Sequence, residues 1–173
     1  MPKNRNSQSF SVRDMAIAGL IAALYATLSC FANIFGMAFG PVQVRFSEAL
    51  CVLPFFFPAA VPGLFIGCFI ANLLSPYGAS DIVFGSLATL LAAFWTRHTR
   101  HKWLAPLPPV ICNTLIIPAV TAWQTASGGE AFGAVFAYNA LTIGLGELLS
   151  CCVLGGLLLI HLPKISALKR YFS

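Results

Sequence analysis

The stretch ALCVLPFFFPAAVPGLFIGCFIANLLSPYGAS, Ala49–Ser80, runs 32 residues without a charge and is interrupted by Pro54, Pro58, Pro62 and Pro76. A helix needs about 20 apolar residues to cross hydrocarbon, so this run is too long for one span and short for two full ones. Pro58-Ala59-Ala60-Val61-Pro62-Gly63 is the natural turn, because proline breaks a helix interior and glycine tolerates a bend. The stretch predicts two spans, Phe46–Phe57 and Pro62–Leu74, and that division sets the sidedness of everything after it.

Around it the whole chain is apolar. Of 173 residues, 58% are hydrophobic and 9% charged, with a mean hydropathy of +0.84. A soluble domain carries about 25% charged residues, so there is too little polar surface here to cover a globule in water. This composition excludes a disordered chain, a nucleic-acid-binding domain and a secreted disulfide scaffold, and leaves an all-α integral membrane protein. Residues 1–14 are polar and basic. Met15–Phe39 is uncharged for 25 residues, too long for a signal peptide core, and reads as span one. Ile82–Thr96 is span four and Leu104–Trp123 span five. Phe132–Leu162, with Glu147 as its one charge, reads as a short outer segment plus a full span. Residues 163–173 form a basic tail.

The net charge of +5 is arranged as a topology signal. Lys3, Arg5 and Arg13 precede span one, Arg97, Arg100 and Lys102 join spans four and five, and Lys164, Lys169 and Arg170 follow span six. Cytoplasmic connections collect Lys and Arg. Six spans place these three clusters, 9 of the 10 cations, on one side, with both termini cytoplasmic. Reading Phe46–Leu74 as one span would split them.

That topology brings Arg45, Glu48, Asn72, Tyr77, Asp81, Trp123 and Asn139 to the outer side, with Glu147 about 12 Å deeper than Asn139 at 1.5 Å per residue. Ionisable groups in hydrocarbon face a cavity or a partner, so these eight residues are the candidate substrate-binding set. Glu147 is either a ligand contact or a neutral group satisfied by a neighbouring Asn, and Arg45 either a ligand contact or the partner of Glu48 three residues on. Glu130 reads as a solvated loop charge and Asn113 as interhelical glue. Ala18, Ala22 and Ala26, with Gly19 and Ala23 alongside, form a small-residue stripe that admits another helix, either within the bundle or on a partner subunit.

Cys30, Cys51, Cys68, Cys112, Cys151 and Cys152 lie in apolar runs without CxxC spacing and read as small hydrophobes. No metal set is expected, and His98 and His101 read as solvated loop residues. None of the four lysines follows a glycine, so there is no phosphate-binding loop, and no nucleophile–base constellation points to an enzyme. A polar outward cavity without energy-converting machinery binds a small molecule and, if it pumps, borrows a motor.

QVRFSEALCVLPFFFPAAVPGLFIGCFIANLLSPYGASDIVFGSLATLLAAF (Gln43–Phe94), LAPLPPV (Leu104–Val110) and AIAGLIAALYAT (Ala16–Thr27) resemble the QueT family over about residues 13–162. These are substrate-binding S components of energy-coupling-factor (ECF) vitamin importers, assigned to queuosine precursors. The resemblance implies a six-helix domain over residues 15–162 in a bacterial cell membrane, capturing substrate from outside. It also implies docking through Ala18, Ala22 and Ala26 on a membrane coupling subunit bound to two ATPases, with no cofactor in this chain and ATP used by those partners. A 7-deazaguanine presents an N1–H beside an exocyclic amine, which one carboxylate, Glu147 or Glu48, matches with paired hydrogen bonds; Arg45 suits its O6. An S component for another vitamin and a stand-alone proton-coupled carrier are the alternatives.

Overall fold

A computed structural model of the chain describes residues 10–36, 45–75, 78–126 and 131–165. All regular structure among them is helical. Helix α1, Val12–Ile34, begins at a capping box: the Ser11 hydroxyl accepts from the Asp14 amide while the Asp14 carboxylate accepts from the Ser11 amide at 3.1 Å. It ends at Gly36, whose φ of +69° is the left-handed turn that glycine adopts without strain.

A ten-residue 3₁₀ helix follows, Phe46–Phe55. At about 2.0 Å per residue it reaches roughly 20 Å, a third further than an α-helix of equal length. The turn falls at Pro58 and Ala59, as the prolines predict, and α2 runs Ala60–Asn72. A π turn over Asp81–Gly85 leads into α3, Ser86–His98, and α4 covers Leu107–Ala126 with Pro108 and Pro109 in its first turn, where no intrahelical N–H is needed. Phe132–Lys164 is one helical run rather than a short segment plus a span: α5 (Phe132–Glu147) passes through a π stretch (Leu148–Leu154) into α6 (Gly155–His161). No proline lies between Glu147 and His161, and the helix continues through the Gly155-Gly156 pair.

Three helical stretches are long and apolar enough to cross a membrane: Val12–Ile34, Lys102–Thr125 and Phe132–Lys164. Phe46–Phe55 and Ala60–Asn72 are apolar but shorter. The outward face of the last helix carries Leu141, Leu145, Leu149, Val153 and Leu157, one per turn and all exposed. A continuous apolar stripe of this length belongs against hydrocarbon, not water.

The 3₁₀ helix is the hub. Ser47 through Pro54 are all buried, and it packs against α1, α2, α3, α6 and the π stretch. Its residues Leu50, Cys51 and Leu53 join Tyr25 of α1 and Leu64 and Cys68 of α2 in the main core. Phe10, Asp14, Pro58, Ala59 and Arg97 line one hollow of about 170 Å³, and the Thr96 hydroxyl bonds the Ala105 carbonyl at 3.2 Å. The start of α1, the turn before α2, the end of α3 and the start of α4 therefore gather at one end of the bundle.

Helices α1 and α2 meet through small residues. A Cβ on Gly63 would stand 2.7 Å from the Ala18 carbonyl oxygen, and one on Gly67 2.8 Å from that of Ala22. Ala18 and Ala22 are thus buried inside the bundle against a Gly-x-x-x-Gly face, while Gly19 and Ala23 remain on the exposed side of α1. The small stripe has two faces, and the structure separates them. Gly67→Ala pushes a methyl onto backbone and onto the Tyr25 Cβ, and is expected to destabilise the protein by about 1–3 kcal/mol. Gly133→Ala, with open space around it, is expected to leave stability unchanged in the same thermal unfolding series in detergent.

Candidate functional site

Two acids ninety-nine positions apart meet at the bundle centre. Glu48, on the 3₁₀ helix, is 1% exposed, and Glu147, at the end of α5, is 4% exposed. A carboxylate oxygen of each and the Cys151 sulfur all lie within 4.8 Å of one another. Winding puts them there. The 3₁₀ helix has three residues per turn, so Glu48 and Cys51 share one edge, and Cys51 Sγ donates to Glu48 Oε2 at 3.0 Å. The π stretch begins just after Glu147 and brings Cys151 under it, with Cys151 Sγ 3.4 Å from Glu147 Oε2 and also 3.4 Å from the Glu48 carbonyl oxygen.

The remaining oxygens are held from outside the pair. Tyr25 on α1 donates its hydroxyl to Glu48 Oε1, and Asn113 on α4 donates Nδ2 to Glu147 Oε1 at 3.0 Å. These donors are neutral: a phenol, an amide and two thiols. Two buried carboxylates so placed call for a proton or a cationic or donor-rich ligand between them, because an unpaired buried charge costs many kcal/mol.

Nearby stands a second polar group. Arg45, capping the 3₁₀ helix, pairs with Asp81 of the π turn, Nη2 to Oδ2 3.9 Å. Asn72 at the end of α2 straps that turn down, its Nδ2 donating to the Asp81 carbonyl at 3.1 Å and to Cys68 Sγ at 3.4 Å. Gly85 leaves the space for it, since a Cβ there would lie 2.7 Å from Asn72 Nδ2. Asp81 Oδ2 is buried and accepts no hydrogen bond.

A narrow crevice of about 10 Å³ runs between Tyr25, Ser29 and Asn33 of α1, Arg45, and Ala71 and Asn72 of α2. Its wall includes the Tyr25 side chain that bonds Glu48, so it leads toward the paired acids. A second crevice of the same size lies on the other side of Asp81, against Phe84, Thr121 and Gln124. Each has room for about one water.

Of the eight residues singled out in the sequence, Glu48 and Glu147 form one cluster, and Arg45, Asn72 and Asp81 the other. Trp123 is 68% exposed near the far end of α4, away from both. Asn139 is half-buried on α5, where its carbonyl accepts the Thr142 hydroxyl at 3.2 Å. Tyr77 and Glu130 lie outside the described residues. Asn113, read as glue between helices, does bond across helices, and its partner is Glu147. Tyr25, Ser29 and Asn33 were not singled out, although their four-residue spacing is a polar stripe on an apolar helix. Nor were Cys51 and Cys151, although Glu-x-x-Cys and Glu-x-x-x-Cys each put acid and thiol on one helical face.

Fold and site together define a helical membrane protein whose acids Glu48, Asp81 and Glu147 are turned inward. The QueT transporter family model matches residues 15–164, and the chain belongs to that family. It is similar, at 35% identity over 78 residues, to the queuosine precursor transporter QueT of Lactococcus lactis subsp. cremoris strain MG1363. That alignment covers 45% of this chain and 46% of the relative, so the chain spans about half the length of the curated protein it matches. No solved structure matches it. The matched family and the relative are both transporters.

Asn113→Ala removes the amide that holds Glu147 and is expected to lower stability by about 1–3 kcal/mol, the penalty for a buried acceptor left unmade. Gln124→Ala, which loses only an exposed bond to Ser80, is expected within about 0.5 kcal/mol of the parent. Thermal unfolding of both in detergent checks the contrast.

Proposed function

We propose that this chain is the substrate-capture subunit of an ECF-type importer for a 7-deazaguanine queuosine precursor. It crosses the bacterial cell membrane six times with both ends in the cytoplasm. The observation that carries this reading is the pair of buried carboxylates, Glu48 and Glu147, held by neutral donors beside a crevice. A carboxylate accepts the N1–H and exocyclic amine of a deazaguanine together, and two acids give that edge and an aminomethyl cation a partner each. The gathering of the α1 start, the α2 start and the α3 end at one end supports the six-span arrangement, with Arg97 on the cytoplasmic side.

The crevices hold far less than the 300 Å³ or more of an ordinary small-molecule site. Ligand uptake therefore requires α1 and α2 to part at Tyr25 and Asn72, the two side chains that close the crevice over the acids. Docking on the coupling subunit falls to the exposed small face of α1, Gly19 and Ala23, because Ala18 and Ala22 are buried against α2. The two ATPases act through that coupling subunit.

The same acid pair favours one alternative, a stand-alone carrier in which Glu48 and Glu147 share a transported proton. Uptake by this chain alone, abolished by a protonophore, would establish the alternative and remove the ECF reading. For the leading proposal, Glu147→Gln is expected to weaken precursor binding by about 10⁴-fold, since an amide cannot accept both donors. Equal affinity for the purified parent and variant, measured by calorimetry, removes Glu147 from the site. Ala23→Leu is expected to leave binding unchanged and to abolish uptake in cells; full uptake refutes docking on this face.

A further inference from the structure

The acid pair has a feature that the substrate reading does not use. Each carboxylate has one oxygen fixed by an outer donor, Tyr25 for Glu48 and Asn113 for Glu147, and its other oxygen bonded by a thiol, Cys51 or Cys151. The donor atoms left facing inward are two oxygens and two sulfurs. Glu48, Glu147 and Cys151 already present theirs within 4.8 Å of one another, and Cys51 Sγ lies 3.0 Å from Glu48 Oε2. All four side chains are buried, the two thiols completely.

We propose that Glu48, Glu147, Cys151 and Cys51 form a binding site for a soft divalent cation, Zn2+ or Cd2+. Mixed sulfur and oxygen donors suit these d¹⁰ ions, which take four ligands in a tetrahedron, whereas Mg2+ and Ca2+ require an all-oxygen shell. With metal–ligand bonds of about 2.0–2.3 Å, tetrahedral donors stand roughly 3.3–3.8 Å apart, so Glu48, Glu147 and Cys151 draw together by up to about 1 Å, and Cys51, which stands outside that group of three, turns toward it. The dication balances the two carboxylates, and each sulfur that coordinates as a thiolate adds one negative charge to the site. Each sulfur that coordinates gives its proton to the solvent, and no redox partner is needed. Tyr25 and Asn113 keep their bonds and orient the carboxylates, the arrangement that strengthens metal ligands elsewhere.

The site shares its acids with the proposed precursor site but stands independently of that reading. If both hold, bound metal excludes the precursor, because the carboxylate oxygens are the same.

The test is a CdCl2 titration of the purified full chain in detergent, followed by the ultraviolet absorption band of cadmium thiolate. One saturating equivalent is expected for the parent protein. Cys151→Ser is expected to weaken binding at least tenfold, as a loss of about 10- to 100-fold already follows from disturbing a ligand's support. The double variant Cys51→Ser/Cys151→Ser is expected to abolish the band, and Cys152→Ser, at an exposed neighbour, to leave it intact. No saturable band in the parent, or a band that survives the double variant, overturns the proposal. X-ray absorption of the Zn2+-loaded parent needs no variant: a mixed sulfur and oxygen shell supports the site, and a shell lacking sulfur refutes it. Precursor binding measured in chelator separates the two readings. Precursor binding without cadmium binding sinks the metal site alone, and cadmium binding without precursor binding sinks the substrate reading alone.

Discussion

Two carboxylates face each other in the middle of an apolar bundle, and hydrocarbon gives neither of them a way out. Hydrocarbon offers no hydrogen bonds, so each lone pair of Glu48 and Glu147 must be met by the protein, by a water or by what the protein carries. The answer shapes the surrounding helices. Helix α1 contributes the phenol of Tyr25, α4 the amide of Asn113, the 3₁₀ helix and the π stretch a thiol each. Four segments distant in sequence are tied to one point by polar contacts whose loss exposes a buried charge.

Departures from α-helical winding sit where the acids are. Asp81 opens one π turn, Glu147 immediately precedes another, and Glu48 lies in a 3₁₀ helix. Tight and wide turns rotate side chains relative to the α-helical register, and such segments recur at functional positions. Here the winding brings each acid over a thiol on its own helix and aims both acids inward from opposite sides. Small residues perform the complementary task in the walls: Gly63 and Gly67 admit Ala18 and Ala22, and Gly85 admits the amide of Asn72. Close helix contact then leaves only narrow crevices beside the acids, so a closed bundle and an occupied site are different states of the same molecule.

Much of this was legible in the sequence. Charge depletion and run lengths identified the membrane class, the prolines at 58 and 62 marked the turn, and Glu48 and Glu147 stood out because acids are costly in hydrocarbon. The continuous helix over Phe132–Lys164 was not foreseen, since its length exceeds one span and a break was expected on that ground alone. Cysteine was read as a small hydrophobe, which its burial fits, but burial also placed Cys51 and Cys151 against carboxylates. Trp123 was grouped with the site because it lies at the same depth in the chain's path, yet it points away, on an exposed part of α4.

The amino-acid sequence by itself determined what is additive along the chain: hydropathy, proline and glycine positions, and the acid–thiol spacings that any helix turns onto one face. Tertiary structure alone decided which faces look inward. A helix apolar on every side carries almost no directional signal, so the rotation of each segment about its axis cannot be read from its pattern. That rotation is set by close packing between helices, and it selected the pairing of Arg45 with Asp81, the burial of Ala18 and Ala22, and the meeting of Glu48 with Glu147.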